Sequence, residues 1–464
     1  MGLKQALSDQ STDPKKKRRV GFTTSAVGIE ANECIKIFLV SKKEEVGCED
    51  GDRIDPIDLN QFFDKDGRIY GYQDLKLNVY LSSVTFHAYA DISFQSTSDG
   101  GKGITDLKPA LEKVFGEHLV ENKDEFLQTF SSGVHYVRDV VTSHGEVLHR
   151  ESINEGTNDE EYQIIRMPVN NYPVGEFYCQ LVPLLLLLVD GSSPIDITDS
   201  SWSLYLAVES KKDDKGEIYM KLLGAAAVYR FYYYPESSRL RLSQILVLPP
   251  YQGKGHGRRL LEVLNSVAVS ENVYDLAVEE PSDPLQSLRT QIDLNRLLTF
   301  SPIKEAVTSF TSQLKNENLS KKTHKVQSDP PASVVDETRK TFKIHKKQIL
   351  QCWEILIYLE LDHKDPKSMK NFKTLITERT RDDVIGNADA GGDGGKQIIE
   401  TPNEYDDHEM TFVMFRPSDN VQVDNVNAEI QENQENIEEQ LKELVDIRMK
   451  EIVEIASKVA LPSQ

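Results

Sequence analysis

Two periodicities divide the chain. From Cys34, Ile35, Ile37 and Leu39 alternate with Lys36 and Phe38, and Leu75 to Phe94 carries two further runs rich in Val, Tyr and Phe. Within those, Leu75, Leu77, Val79 and Leu81 recur every second residue, the spacing of a strand with one buried face. Leu107 to Phe130 changes to a helical period, with Leu111, Val114, Phe115 and Leu119 on one face and Pro109 tolerated in the first turn. Residues 154–160 form a polar acidic loop. A small α+β domain is therefore expected over residues 31–175.

A second region starts near Glu176. Phe177, Leu181, Leu184, Leu185 and Leu188 predict a helix buried nearly all round and kinked at Pro183. Strands follow over Trp202–Val208, Met220–Tyr234 and Leu240–Leu248, then a helix from Gly257 to near Val269, a strand over Val273–Val278 and a helix from Pro284 to near Phe300. These make a domain of residues 176–300. Beyond it, Lys321–Val335 reads as a linker and residues 340–380 as helical, with Leu350, Trp353, Ile357 and Leu361 at helical spacing. Residues 388–395 are a glycine-rich loop. The acidic C-terminal stretch carries an apolar stripe at Ile430, Ile437, Leu441, Leu444, Ile452, Ile455 and Val459, so residues 301–464 are expected to be mainly helical with flexible acidic insertions.

Composition narrows the classes. The formal net charge of −21 over 464 residues argues against broad nucleic-acid binding and suits either a basic partner or simple solubility. Cys34, Cys48, Cys179 and Cys352 are scattered with no CxxC pair, which excludes a disulfide framework or zinc pattern and favours a reducing compartment with buried thiols. The most apolar run, Leu181–Val189, is far short of a membrane span, so a soluble protein is expected. Residues 1–30 are a polar tail in which Pro14-Lys15-Lys16-Lys17-Arg18-Arg19-Val20 resembles a nuclear-import signal; the alternative is a solvated basic tail without a reader.

The candidate chemistry is concentrated in Leu240–Leu261. An apolar strand ends at Pro249-Pro250, and Gln252-Gly253-Lys254-Gly255-His256-Gly257 opens a helix. A Walker loop needs GxxxxGK and a hydroxyl, and a dinucleotide turn needs GxGxxG; neither spacing is present. Q/RxxGxG/A does fit. Small residues at 253, 255 and 257 let a pyrophosphate approach the backbone, while the first N–H groups and dipole of the helix bind its charge. The edge of the strand at Ile245, Leu246 and Val247 can pair with the amides of an extended arm. Asp64-Lys65-Asp66-Gly67 lacks the carboxylate spacing of a calcium loop and reads as a turn whose acids could face a cation.

This turn resembles the acetyl-CoA turn of the GNAT acetyltransferases. The longer run Ser243–Gly257, Asp275–Ser282, Ile195-Asp196-Ile197 before Trp202, and Gly71-Tyr72 before Leu75 are similar to the catalytic subunits of type B histone acetyltransferases, with a plant-like character, over roughly residues 31–300. The resemblance implies a GNAT domain, a mixed, splayed β-sheet with flanking helices, behind a small α+β domain and ahead of a helical region. It implies acetyl-CoA as cosubstrate, no metal, a histone tail as substrate, a WD-repeat β-propeller partner that holds the histone, and a place in both nucleus and cytoplasm. It assigns cofactor binding to Ile245, Leu246, Val247, Gln252, Gly253, Lys254, Gly255, His256, Gly257, Arg258 and Ser282, with His256 acting through its backbone. Histone contacts fall on Asp64, Lys65, Asp66, Tyr229, Arg230 and Phe231, although Tyr229 and Phe231 also suit a strand's core face. Glu279 matches the general base, Glu280 stands where the family commonly has Asp, and Asp190 matches an assisting carboxylate that is usually Glu. Such a base takes the proton of a lysine ammonium, and burial would strengthen it. Two other readings stay open: another GNAT enzyme acting on protein N-termini or small amines, which would lack the first domain and the paired acids, and a non-catalytic histone-binding module, which would need neither intact glycines nor Glu279.

Overall fold

The computed structural model describes residues 28–48, 51–63, 67–99, 101, 103–153, 160–212, 216–316, 329–385 and 426–459, with side chains of the final segment from residue 438. The import-like run, the loop at 154–159, the glycine-rich loop, most of the 321–335 linker and the side chains of Ile430 and Ile437 lie outside this set. The chain divides into two compact units, Met1–Ala227 with Gln244–Gly257, and Val228–Ser243 with Arg258–Gln464.

In the first unit the alternating stretches form strands β1 (Ile35–Val40), β2 (Asp52–Ile54), β3 (Lys76–Ser82) and β4 (Ala88–Ser93). The helix expected over Leu107–Phe130 is instead two, α1 (Leu107–Phe115) and α2 (Lys123–Ser132), separated by β5 (Leu119–Val120). Gly116, at φ +54°, ends α1, and the Asn122 side chain accepts from the Asp124 N–H to start α2. The strand order β2-β1-β3-β4-β5 makes a mixed sheet in which β1 and β3 run parallel. Then come α3 (Tyr136–His144), β6 (Glu146–Ser152), β7 (Glu160–Pro168), α4 (Tyr172–Leu188) and β8 (Trp202–Lys212). The expected domain boundary at 175/176 falls inside α4, which continues through Pro183. This helix is the centre of the unit. Phe177, Tyr178, Leu181, Leu184 and Leu187 are all buried and share one core with Leu77, Val79 and Leu81 of β3 and with Leu204, Leu206 and Val208 of β8. Each such side chain removed from water contributes about 1.5–3 kcal/mol before entropy is counted. A strongly apolar helix needs cover over most of its surface, and here a stripe through Tyr172, Glu176, Cys179, Val182 and Leu186 stays exposed or half-buried, so burial is not complete all round.

Strands β9 (Ile218–Tyr233) and β10 (Ser237–Val247) pass through both units. In the first, β6, β7, β8 and β9 are neighbours in that order; in the second, β9, β10 and β11 (Leu276–Val278) are. Along β10, Leu240, Leu242, Gln244 and Leu246 are buried while the residues between them are half-buried, the alternation of a strand with one face turned to a core. Helix α5 (His256–Ser270) follows the glycine turn. β11 pairs with β10 in parallel from Leu240↔Leu276 to Leu242↔Val278 and then stops, because Glu280 takes φ +34° and Pro281 follows.

The rest of the second unit is helical: α6 (Asp283–Leu297), α7 (Ser301–Asn316), α8 (Ala332–Phe342), α9 (Lys346–Glu360), α10 (Pro366–Ile385) and α11 (Val426–Lys458). The helical stretch expected at 340–380 is broken by Lys343 in a left-handed conformation and again before Pro366. Trp353 and Ile357 are buried with Phe372, Leu441 and Ile452 in one core. At its polar centre Glu354, 2% exposed, receives Arg379 at 2.9 Å and Arg448 at 2.6 Å, so a single carboxylate ties α10 and α11 to α9.

Candidate active site

Begin with the turn, in the first unit. The apolar strand is closed by a helical turn over Pro249–Tyr251, after which Gly253 and Gly255 take φ +73° and +84°. Residues with a Cβ pay steric energy there, of order 1–2 kcal/mol each. A Cβ added at Gly253 would meet nothing within 4 Å, so the backbone itself is the exposed surface of the loop. The Gln252 side chain donates back to the Val247 carbonyl at 2.9 Å, and the Lys254 ammonium donates to the Pro250 carbonyl at 3.0 Å. Both brace the loop against the strand end it leaves. Lys221 and Lys254 stand 4.6 and 5.6 Å from the centre of the Tyr251 ring, a concentration of positive charge. Burial, and then Asp52, Glu209 and Glu45, push the Tyr251 hydroxyl up, so it stays neutral. His256, the first residue of α5, stacks its ring on Tyr162 with centroids 5.3 Å apart. The imidazole is thus occupied in packing, and the group this position offers is a helix-start N–H.

Immediately before the strand edge sits Gln244, 6% exposed. Its carbonyl oxygen accepts from the Tyr178 hydroxyl at 3.0 Å, and its amide donates to the Ser193 carbonyl at 2.7 Å and the Ser192 hydroxyl at 3.1 Å. The Tyr178 oxygen in turn accepts from the Ile195 N–H at 3.1 Å. This network fixes the segment after α4 to the base of the Ile245–Val247 strand. Asp190 lies in that same segment, exposed, in the turn beside Gly191. Sequence reasoning missed the network; a polar residue at an inward position of an alternating strand was its signal.

The second unit holds Glu279. Its N–H donates to the Leu242 carbonyl at 2.9 Å, which carries the β10–β11 pairing one residue further and sets the backbone from which the side chain leaves. The side chain is 41% exposed, so its placement comes from contact rather than from burial, contrary to the buried base that general chemistry favours. The contact is Arg241, whose Nε lies 3.3 Å from Glu279 Oε2 and whose guanidinium carbon sits 4.6 Å above the Phe231 ring. Phe231 meets Tyr229 with ring centroids 4.4 Å apart. Tyr229, Phe231, Arg241 and Glu279 therefore form one group of contacts, of which the sequence had not indicated Arg241.

Other candidates are placed as follows. Tyr229 and Phe231 are half-buried, not core. Arg230 turns away to Ser238 at 2.9 Å and to Glu271. Glu280 is exposed in its left-handed conformation. Arg258 donates to Gln291 at 3.3 Å and lies 4.0 Å from Glu262. Ser282 is the exposed residue before α6. Asp64, Lys65 and Asp66 lie outside the described residues.

Residues 27–190 match the family described as histone acetyl transferase HAT1 N-terminus, and residues 194–288 match the acetyltransferase (GNAT) family. Over 465 residues the chain is 48% identical to a histone acetyltransferase type B catalytic subunit of Arabidopsis thaliana, covering 99% of this chain and 98% of that one. A protein of the same description from Zea mays is 47% identical over 463 residues, covering 99% and 97%.

Proposed function

This chain belongs to the family of histone acetyltransferase type B catalytic subunits, and on that premise we propose that it acetylates lysines in the N-terminal tails of newly made histones, mainly histone four, with Glu279 as general base. It is an acetyltransferase with a GNAT domain, a class that uses acetyl-CoA. The observation that carries the acetyl-transfer reading is the turn in which Gly253 and Gly255 take left-handed backbone directly before helix α5.

The residues present fit acetyl-CoA. Backbone N–H groups from Gly253 to Gly257, with the open face over Gly253, would hold the pyrophosphate, and main-chain groups of Ile245–Val247 would pair with the pantetheine amides. When bound, that cosubstrate supplies the acetyl group as a thioester. What the chain must do is deliver a neutral amine, because a lysine ammonium ordinarily titrates about three units above neutrality. Glu279 accepts that proton directly or through one water, and backbone donors of the strand edge offset the charge developing on the acyl oxygen. Asp190 and Glu280 supply further carboxylate character for the ammonium's approach. Tyr229 and Phe231 offer half-buried rings to the aliphatic part of the tail, and the family resemblance adds Asp64, Lys65 and Asp66 as histone contacts. The net charge of −21 favours a lysine-rich substrate over long range. A WD-repeat β-propeller subunit that presents the histone, and a life in both cytoplasm and nucleus guided by Pro14–Val20, complete the proposal.

The test is the full chain with acetyl-CoA and mixed core histones, read by mass spectrometry. Acetyl groups concentrated on tail lysines of histone four support the proposal; even labelling of all four histones overturns the preference. Absence of transfer while acetyl-CoA still binds would overturn the catalytic reading. Glu279→Gln should lower turnover by about 10²–10⁴-fold with acetyl-CoA affinity nearly unchanged. A collapse in affinity instead would make its role structural.

A further inference from the structure

Two arginines leave the same face of β10, two residues apart, and they are held in different ways. Arg239 donates from Nε to Asp275 Oδ1 at 2.6 Å and from Nη2 to Oδ2 at 3.2 Å, and Asp275 is 1% exposed. That is a bidentate buried pair, in which both partners are consumed by structure. Arg241 has a single approach to Glu279, Nε to Oε2 at 3.3 Å, and the buried Nε–H is aligned with no acceptor among the described residues. An ionised carboxylate offers about four acceptor positions, so one off-axis contact orients it without using it up. The guanidinium is itself fixed by its seat on Phe231. A partly exposed ion pair contributes only about 0–1 kcal/mol to stability, so folding alone does not account for this arrangement.

Resting on the reading of Glu279 as general base, we propose that Arg241, seated on Phe231, is a positioning residue that holds the Glu279 carboxylate in the orientation from which it receives the proton of the substrate amine. The backbone of Glu279 is set by its bond to Leu242, and Arg241 pairs across the strands with Ala277, two residues before Glu279. Between those two anchors the glutamate side chain still has free torsions. Arg241 removes that freedom, and a misplacement of about 1 Å at a reacting centre costs on the order of 10²-fold in rate.

The experiment uses the full chain, acetyl-CoA and a peptide of the histone-four tail. Arg241→Ala and Arg241→Gln should each lower kcat by about 10–100-fold with KM for acetyl-CoA unchanged. Arg241→Lys should recover part of the loss, and free guanidinium ion should rescue Arg241→Ala but not Arg241→Lys. In the Glu279→Gln background, Arg241→Ala should cost nothing more. Wild-type kcat in Arg241→Ala, or a full multiplicative loss on top of Glu279→Gln, overturns the positioning role. Wild-type turnover in Glu279→Gln alone overturns the base reading instead, so the two failures are told apart. If circular dichroism shows that the Arg241 variants do not fold, Phe231→Leu carries the test. It removes the seat, and its loss of kcat must likewise vanish when Glu279 is already Gln.

Discussion

Replacing Gln244 by Leu, one bond shorter, roughly keeps the volume of the side chain while deleting every polar contact it makes. The Tyr178 hydroxyl, on a residue 1% exposed, loses its acceptor, and the Ser193 carbonyl and Ser192 hydroxyl lose their donor. Burial raises the pKa of Tyr178, so it remains a neutral donor at working pH and cannot escape by ionising. An orphaned buried hydroxyl costs about 1–3 kcal/mol, and the two serine groups, closer to water, about 0.5–1.5 kcal/mol each. After the gain from an apolar side chain, a loss of about 2–4 kcal/mol is expected, or roughly 5–15 °C in Tm for a unit of this size. Calorimetry of the full chain should show it in the transition of the first unit. Because Ile245–Val247 follow directly, KM for acetyl-CoA should rise as well. Tyr178→Phe should cost about 1–2 kcal/mol, and the double variant should be less destabilised than the sum by at least about 1 kcal/mol, since the second change removes a group the first had orphaned. A Gln244→Leu protein as stable as the parent, or strict additivity, would refute the network.

Three further outcomes are expected. Gly255→Ala, at φ +84°, should strain the turn by about 1–2 kcal/mol and weaken acetyl-CoA binding measured by titration calorimetry, while turnover at saturating cosubstrate changes little. Glu354→Gln should destabilise the second unit by about 3–5 kcal/mol, read by thermal melting, because the buried negative charge shared by Arg379 and Arg448 is lost, with Asp329 at 3.3 Å still beside Arg379. His87 and His118 lie with ring centroids 5.8 Å apart, and burial lowers both from the ordinary 6.5, His118 further through its neighbour. Their folded-state values lie below the unfolded one, so their contribution is present above pH 6.5 and lost as pH falls through the lowered folded values. Chemical denaturation from pH 7.5 to 5 should show that decline, and His87→Gln/His118→Gln should flatten it.

Much of the fold could be read from periodicity, because the alternating runs of β1 and β3 bury Ile35, Ile37 and Leu39 and Leu77, Val79 and Leu81 on one face. What escaped was punctuation. Leu111, Val114, Phe115 and Leu119 keep a helical spacing across Gly116, and only the backbone shows that the helix ends there. Lys343 ends α8 in a left-handed conformation that its side chain gives no reason to expect. At the site, Gln252, Gly253 and Gly255 could be identified because consecutive residues make the turn. Arg241 and Gln244 could not, since each acts through residues distant in sequence, Phe231 and Glu279 for one, Tyr178 and Ser193 for the other. Pairing across strands is invisible to spacing along one of them.

The carboxylate of Glu354 also sets a timetable for biosynthesis. Its partner Arg448 lies 94 residues further along the chain. At about 5–20 residues per second, the acid is synthesised roughly 5–20 s before that cation. Arg379 emerges between them, so the nascent helices pass through a stage with one cation on the acid and the groove for α11 uncovered. The first unit waits in the same way, since its core needs Leu246 and Leu248 from the segment that returns after Ser243. Chaperone engagement during synthesis should therefore persist until α11 has emerged, and a ribosome stalled before Arg448 should hold a protease-sensitive second unit.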